Sequence, residues 1–148
     1  MGAPHIADFT KYYKEVLCNL GSLTAGGTGD ATALTGATID RLGYGSASFV
    51  ISYKTTLAAA ATLSFAVEYQ ESADGTNWDT ATALQASTVA RTGAVTNGTG
   101  LVEFSLNLEP RKRYIRFNFT PDLSAANTDT AVVSGVAVLG GADLLPAV

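Results

Sequence analysis

The amino-acid sequence predicts an all-β protein, an antiparallel β-sandwich of the jelly-roll kind, with an N-terminal arm or short helix. The first observation is the segment 62–71, in which Leu63, Phe65, Val67 and Tyr69 alternate with mostly polar residues. A period of two is typical of a strand that is buried on one face. The second observation is that similar segments recur at short intervals, separated by Gly, Asp and Pro, as in antiparallel sandwiches.

Residues 1–36 are predicted to be an arm and connector that precede a sandwich of residues 37–148. An apolar stripe at helical spacing favours a short helix, with Asp8 as its N-cap and Gly21 at its end. The competing interpretation is an extended arm, because aromatic and β-branched residues favour β structure and an isolated helix this short is unstable. Residues 21–36, rich in Gly, Thr and Ala, are predicted to be a flexible connector. The residues of this stripe, together with the adjacent Tyr12, are the candidate partner-binding residues: Phe9, Tyr12, Tyr13, Val16, Leu17 and Leu20.

Seven or eight short segments are predicted as strands. The segment 46–53 alternates strongly and places Phe49 and Ile51 on its apolar face, whereas the segment before it is weak. After 62–71, Asp74-Gly75 is predicted to reverse the chain, since glycine accepts the positive φ that tight hairpin turns require. The predicted strands are 37–41, 46–53, 62–71, 78–84, 88–91, 101–108, 113–120 and 130–139.

The later strands differ in how they are buried. The segment 101–108 alternates Phe104 and other apolar residues with polar ones, and Pro110 ends it because proline cannot donate to a ladder. The segment 113–120 is predicted to point Ile115, Phe117 and Phe119 inward. The segment 130–139 is apolar on both faces, which favours a central position in its sheet.

The composition bears on which partners are expected. Charged residues make up 15% of the chain, against about 25% in a typical globular protein. Uncharged residues must therefore cover much of the surface, which favours burial against other protein. A net charge of −4 and a sequence pI of about 4.7 argue against nucleic acid as a partner. No apolar run approaches the roughly 18 residues of a membrane span, so no membrane partner is predicted.

Residues that carry catalytic chemistry are scarce. His5 is the single histidine and Cys18 the single cysteine. A single histidine near the terminus cannot build a Ser-His-Asp triad or a histidine-based metal site within one chain. Cys18 is predicted to be a small apolar residue of the arm. The sequence therefore predicts no enzymatic activity, no cofactor and no metal site.

Four segments resemble the small β-sandwich head proteins of tailed bacteriophages: IDRLGYGSASFVI at 39–51, SADGTNW at 72–78, RYIR at 113–116 and LGGADLLP at 139–146. The resemblance covers roughly residues 37–148 and leaves the arm unmatched. It implies a capsid decoration, or cement, protein that binds the outside of the major capsid protein lattice, commonly as a homotrimer. Such a protein is made in the host cytoplasm and is located on the capsid surface of the virion. We expect the arm to dock on a neighbouring subunit or on the capsid protein, and the sandwich to fold without residues 1–36.

The same turn and strand are similar to those of galactose-binding or discoidin-type jelly rolls, which implies a carbohydrate-binding module as the alternative. Its candidate sugar-binding residues are Asp74, Asn77 and Trp78, because sugar sites combine exposed aromatic rings with polar partners. Trp78 is also interpreted as a core anchor beneath the hairpin. The low charge content and the apolar arm favour the virion structural protein.

Overall fold

The computed structural model describes residues 12–93, 97–124 and 128–142, which form eight β-strands. In chain order they are β1 (Lys14–Thr24), β2 (Ile39–Asp40), β3 (Tyr44–Thr56), β4 (Thr62–Ser72), β5 (Thr82–Thr92), β6 (Asn97–Asn107), β7 (Tyr114–Leu123) and β8 (Thr130–Ala142). The first sheet has the strand order β1-β8-β3-β6, and the second sheet has the order β2-β7-β4-β5. The pairings within both sheets are antiparallel.

This strand order is that of a jelly roll, so the predicted fold class is confirmed. Within the two sheets, β4 pairs with β5, β3 with β6, β2 with β7 and β1 with β8. The pairs are nested, as if one long hairpin had been rolled up into a two-sheet sandwich.

The core lies between the two sheets and is built around four phenylalanines. The rings of Phe49 on β3 and Phe117 on β7 stack with their centroids 4.8 Å apart. Phe119 lies at an angle to Phe49 and meets Phe65 edge to face. Such aromatic pairs stabilise a core beyond the area that they bury. The contacts join the middle of the first sheet to the middle of the second.

The predicted inward faces are confirmed in the strongly alternating segments. On β3, β4 and β7 the alternate apolar residues are buried, whereas Val102 and Phe104 on the edge strand β6 are only partly buried. The segment 130–139 lies within β8, between β1 and β3, as its two apolar faces predicted. The weak candidate 37–41 contains the short strand β2.

Of the two alternatives for the N-terminal segment, the short helix is wrong for the residues that the structure describes, because the segment is extended. Lys14–Thr24 is a strand, and it pairs with β8 from Lys14 opposite Leu139 to Thr24 opposite Thr130. The sandwich therefore begins before residue 37. The β propensity of the segment, together with a long free edge on β8, outweighs its helical spacing. Among the described residues no helix is long and apolar enough to cross a membrane.

The region after the hairpin turn also differs from the prediction. The two expected strands 78–84 and 88–91 are one continuous strand, Thr82–Thr92, whose pairing with β4 is interrupted by three register shifts. Trp78 lies in the loop before β5 and is outside the buried core, so its interpretation as a core anchor is wrong.

The predicted connector 21–36 is in contact with the sandwich. Its first four residues belong to β1, and the N–H of Leu34 donates to the carbonyl oxygen of Phe119 at 2.9 Å. A Cβ at Gly36 would overlap the carbonyl oxygen of Phe117 on β7. Glycine at this position therefore permits close backbone approach, a role that composition alone cannot distinguish from flexibility.

Candidate interaction surface and loop

The outer face of the first sheet carries exposed apolar side chains. Leu17 and Leu20 on β1 are 62% and 68% exposed, Leu101 on β6 is 65% exposed, and Val132 on β8 is 49% exposed. We call these four residues the outer patch. Exposed apolar residues that lie on one face of a fold are typical of an interaction surface.

A β-bulge brings Leu17 and Leu20 to the same face. In a regular strand two residues three apart point to opposite faces. The register between β1 and β8 shifts between Leu17 and Asn19, so that β1 holds one extra residue at Cys18. Cys18 and Asn19 are consequently both buried. The spacing of three that predicted a helix is thus compatible with a bulged strand.

The other side chains on the outer face of the first sheet are mostly small, and few of them are charged. Leu17 lies level with Val136 on β8, which in turn pairs with Val50 on β3, so that an apolar row crosses three strands. The charged residues of the face, among those described, are Glu15, Lys54 and Glu103. Such a face suits a flat protein partner, since few charged groups would have to be desolvated.

The remaining predicted arm residues lie elsewhere. Val16 points inward and packs against the core. Tyr12 and Tyr13 precede β1, and Tyr13 borders a shallow hollow of about 360 Å³ that Gly140 also lines. Phe9 lies outside the described residues. The structure therefore groups Leu17 and Leu20 on the outer face and separates them from Val16.

The predicted sugar-binding residues belong to a loop whose carboxylate is already engaged. Asp74 Oδ1 accepts hydrogen bonds from the backbone N–H groups of Thr76 and Asn77, both at 2.8 Å, and from Ser72 Oγ at 2.9 Å. The other oxygen accepts from Asn77 Nδ2 at 2.6 Å. These bonds, the Asn77 backbone bond first, hold the pKa of Asp74 well below its usual range. Asp74 and Asn77 therefore stabilise the loop that contains them.

Trp78 is covered by a cation. The guanidinium carbon of Arg116 lies 4.3 Å from the centre of the Trp78 ring, in cation–π geometry. Arg116 Nε also donates to Gln70 Oε1 at 2.9 Å, which holds the guanidinium in place. One ring face is therefore occupied, and the structure does not assemble the three predicted residues into an open cleft.

Three consecutive basic residues in the turn between β6 and β7, Arg111 to Arg113, are each paired with a carboxylate. Arg111 contacts Glu71 at 3.1 Å, and Lys112 contacts Asp79 at 2.7 Å. Arg113 donates to Asp40, and this hydrogen bond lowers the pKa of that carboxyl. The partners are far apart along the chain, so only the fold brings them together. The pairs of Lys112 and Arg113 are exposed and therefore contribute modestly to stability, whereas the pair of Arg111 is partly buried.

Cys18 is a buried thiol at the bulge. Its Sγ–H donates to the carbonyl oxygen of Val16 at 3.4 Å, and burial raises its pKa to about 11. Reactive thiols have lowered pKa values, so Cys18 lacks the environment of a nucleophile. Among the residues that the structure describes, no group of three or more His, Cys, Asp or Glu is placed to hold a metal ion.

The loop supplies a pH prediction, because Trp78 is the single tryptophan of the chain. An aspartate in an unfolded chain is half protonated near pH 4. Because the pKa of Asp74 in the folded protein is lower, its hydrogen bonds persist at pH 4 and are lost only as the pH falls through that lower pKa. Trp78 emission is therefore expected to be the same at pH 7 and pH 4, and to shift to the red in Asp74→Ala at both. A shift between pH 7 and pH 4 with unchanged far-ultraviolet circular dichroism would contradict this account.

No family model and no curated protein matches the sequence, whereas solved structures match the fold. A chain from the structure of the Gx strain of infectious bursal disease virus has a TM-score of 0.52 and 12% identity, over 90% of this chain and 35% of that one. The crystal structure of the T13 particle of the same virus gives 0.53 and 13%, over 94% and 34%. The Gt strain gives 0.51 and 14%, over 99% and 38%.

These likenesses concern the fold alone. The chain spans about a third of the length of these three solved chains. At this level of identity, the comparison shows a jelly-roll fold and leaves function to be argued from the surface.

Proposed function

We propose that the protein is a virion structural protein that decorates the capsid of a tailed phage. It binds the outside of the major capsid protein lattice through the β1 side of the outer patch. The observation that carries this proposal is the exposure of Leu17 and Leu20 on one face of the first sheet. The likeness of the fold to chains of virus particles supports a role in a virion in general.

Contact with the lattice would remove an energetic cost of the free protein. Burying a leucine side chain contributes about 1.5–3 kcal/mol, and Leu17 and Leu20 remain mostly exposed in the single chain. Val136 lies beside Leu17, and Val50 lies beside Val136; both side chains are small enough to let a flat partner approach. The 15% charge content of the chain adds few groups that resist desolvation.

In this proposal the protein is made in the host cytoplasm and joins the shell as a homotrimer. Cyclic assembly is the usual way in which identical subunits close, and a threefold site on a capsid selects a trimer. The proposed role involves the capsid protein alone and needs no nucleic acid, membrane, cofactor or catalysis.

The carbohydrate-binding alternative has less support. Asp74 and Asn77 bond to each other, and Arg116 covers one face of Trp78. A sugar would have to displace these contacts before it could stack on the ring, at the cost of the loop's own hydrogen bonds.

The test is co-sedimentation of the purified chain with preformed capsids that lack it, assembled from the major capsid protein of the same genome. The wild-type chain is expected to bind, and Leu17→Lys/Leu20→Lys is expected to bind at least about tenfold more weakly, because two leucines lose their burial. Both positions point to solvent, so the variant should retain the wild-type melting temperature.

Val89→Lys is the matched control, since Val89 is an exposed apolar residue on β5 of the other sheet. It is expected to bind as the wild type does. Absence of wild-type binding would overturn the proposed function. Equal loss in both variants would show that the effect is general charge rather than this surface.

A further inference from the structure

Strand β6 is a regular free edge of the first sheet. Its 11 residues pair with β3 without a register shift, and among the described residues it has no second neighbour in the sheet. The other edge strands are interrupted: β1 by its bulge, β2 by its length of two residues, and β5 by three register shifts. Soluble proteins interrupt or charge their free edges because a regular edge pairs with another strand. β6 contains neither Lys nor Pro, and its single charge is Glu103.

The direction of the backbone groups on β6 follows from one hydrogen bond. The N–H of Leu108 donates to the carbonyl oxygen of Gly45 at 2.9 Å, just beyond the paired strands. Backbone groups of alternate residues point to opposite sides of a strand. The even-numbered residues of β6 therefore bond to β3, and the odd-numbered ones, from Asn97 to Asn107, direct N–H and C=O to the free edge.

We propose that β6 of a second copy occupies this edge, antiparallel and across a twofold axis at Val102. In this register each odd-numbered residue of β6 faces an odd-numbered residue of the second copy. Both residues direct their N–H and C=O groups to the shared edge, so the hydrogen bonds of the ladder can form. Asn97 faces Asn107 of the second copy, so the two strands overlap over their whole length. The two first sheets become one continuous sheet, and the shared surface is the same on both subunits.

The side chains favour this register over its neighbours. With the axis at Val102, Glu103 faces the exposed Leu101 of the second copy on the outer face. Moving the axis to Glu103 would place the two carboxylates directly opposite each other, which destabilises a strand pair. Moving it to Leu101 or to Glu103 would leave two residues at one end of each strand unpaired.

The inner face is complementary as well. With the axis at Val102, the partly buried Phe104 lies opposite Gly100 of the second copy. An aromatic side chain across from a strand glycine covers backbone that the glycine leaves exposed. Pairing would also cover Val102, which is only partly buried in the single chain.

The inference concerns the free protein and does not need the capsid. If the proposed function holds as well, this twofold contact links copies that belong to neighbouring trimers on the lattice.

The test is sedimentation equilibrium of the full chain over a wide concentration range, in the absence of capsids. The wild type is expected to dimerise. Leu101→Glu places like charges opposite each other twice in each dimer and is expected to raise the dissociation constant about tenfold or more. In Leu101→Lys the introduced ammonium group faces Glu103 of the second copy, so this variant should retain the dimer. Leu101→Glu/Glu103→Lys again places opposite charges across from each other and should restore the dimer. Leu101 is mostly exposed, so circular dichroism should show the wild-type fold in each variant.

Leu20→Glu is the matched control, because Leu20 is an equally exposed leucine on the opposite edge strand of the same sheet. It should dimerise as the wild type does while weakening capsid binding. A monomeric wild type would overturn the β6 pairing and leave the capsid proposal untouched. Equal dimerisation of Leu101→Glu and wild type, or failure of the charge exchange to restore the dimer, would also overturn it.

Discussion

Replacing Phe117 by alanine is expected to lower the free energy of unfolding by about 3–5 kcal/mol. Phe117 is fully buried in the middle of β7, and its ring stacks on Phe49 with centroids 4.8 Å apart. Alanine would leave a cavity between two sheets that are each held by backbone ladders and can close only partly around it. Urea denaturation monitored by circular dichroism measures the loss.

Leu42→Ala is the control for this experiment, since Leu42 is an exposed residue in the turn between β2 and β3. Its effect is expected to stay within about 0.5 kcal/mol. A loss below about 1 kcal/mol for Phe117→Ala would contradict the packing of the two sheets around this ring.

Deleting residues 1–24 is expected to abolish cooperative unfolding. The deletion removes β1, including the buried Leu23, and uncovers the edge of β8 along its pairing from Leu139 to Thr130. Burial of one leucine alone contributes about 1.5–3 kcal/mol, and the unpaired β8 edge becomes a site for aggregation. Differential scanning calorimetry and light scattering measure the two effects.

Deletion of residues 1–11 is the matched control, because it leaves β1 intact. This variant should melt cooperatively near the wild-type temperature. A cooperative melt of the longer deletion at that temperature would restore the sequence-based expectation that residues 1–36 are a removable arm. The pairing of β1 with β8 argues against that expectation.

The parts of the fold that the sequence predicted are those with a local signal. The alternation around Phe49, Phe65 and Phe117 identified three core strands, and the two apolar faces of 130–139 identified a central one. β1 was missed because its bulge gives Leu17 and Leu20 a spacing that also occurs in helices. The order of the strands in the sheets could not be predicted, because a period of two indicates which face of a strand is buried and does not indicate which strand is its neighbour.

The interaction surfaces were predicted less well than the core. Leu17 and Leu20 are exposed, but their shared face depends on the bulge, which the sequence does not reveal. The location of Trp78 depends on Arg116, whose guanidinium reaches it only after β7 has paired with β4. Free edges such as β6 are properties of the assembled sheet, so no local pattern marks them.

The nested pairing has a consequence for the order in which the chain folds. β4 and β5 are neighbours in sequence and can form a hairpin early. Lys14 can pair with Leu139 only after the chain has been synthesised as far as residue 139. Folds dominated by such distant contacts have high contact order and fold on a scale of about milliseconds to seconds. Until β8 inserts between β1 and β3, the first sheet lacks its centre and one backbone edge of β3 is unpaired. Unpaired strand edges favour association with other chains, so crowded synthesis is expected to favour misassembly during this interval.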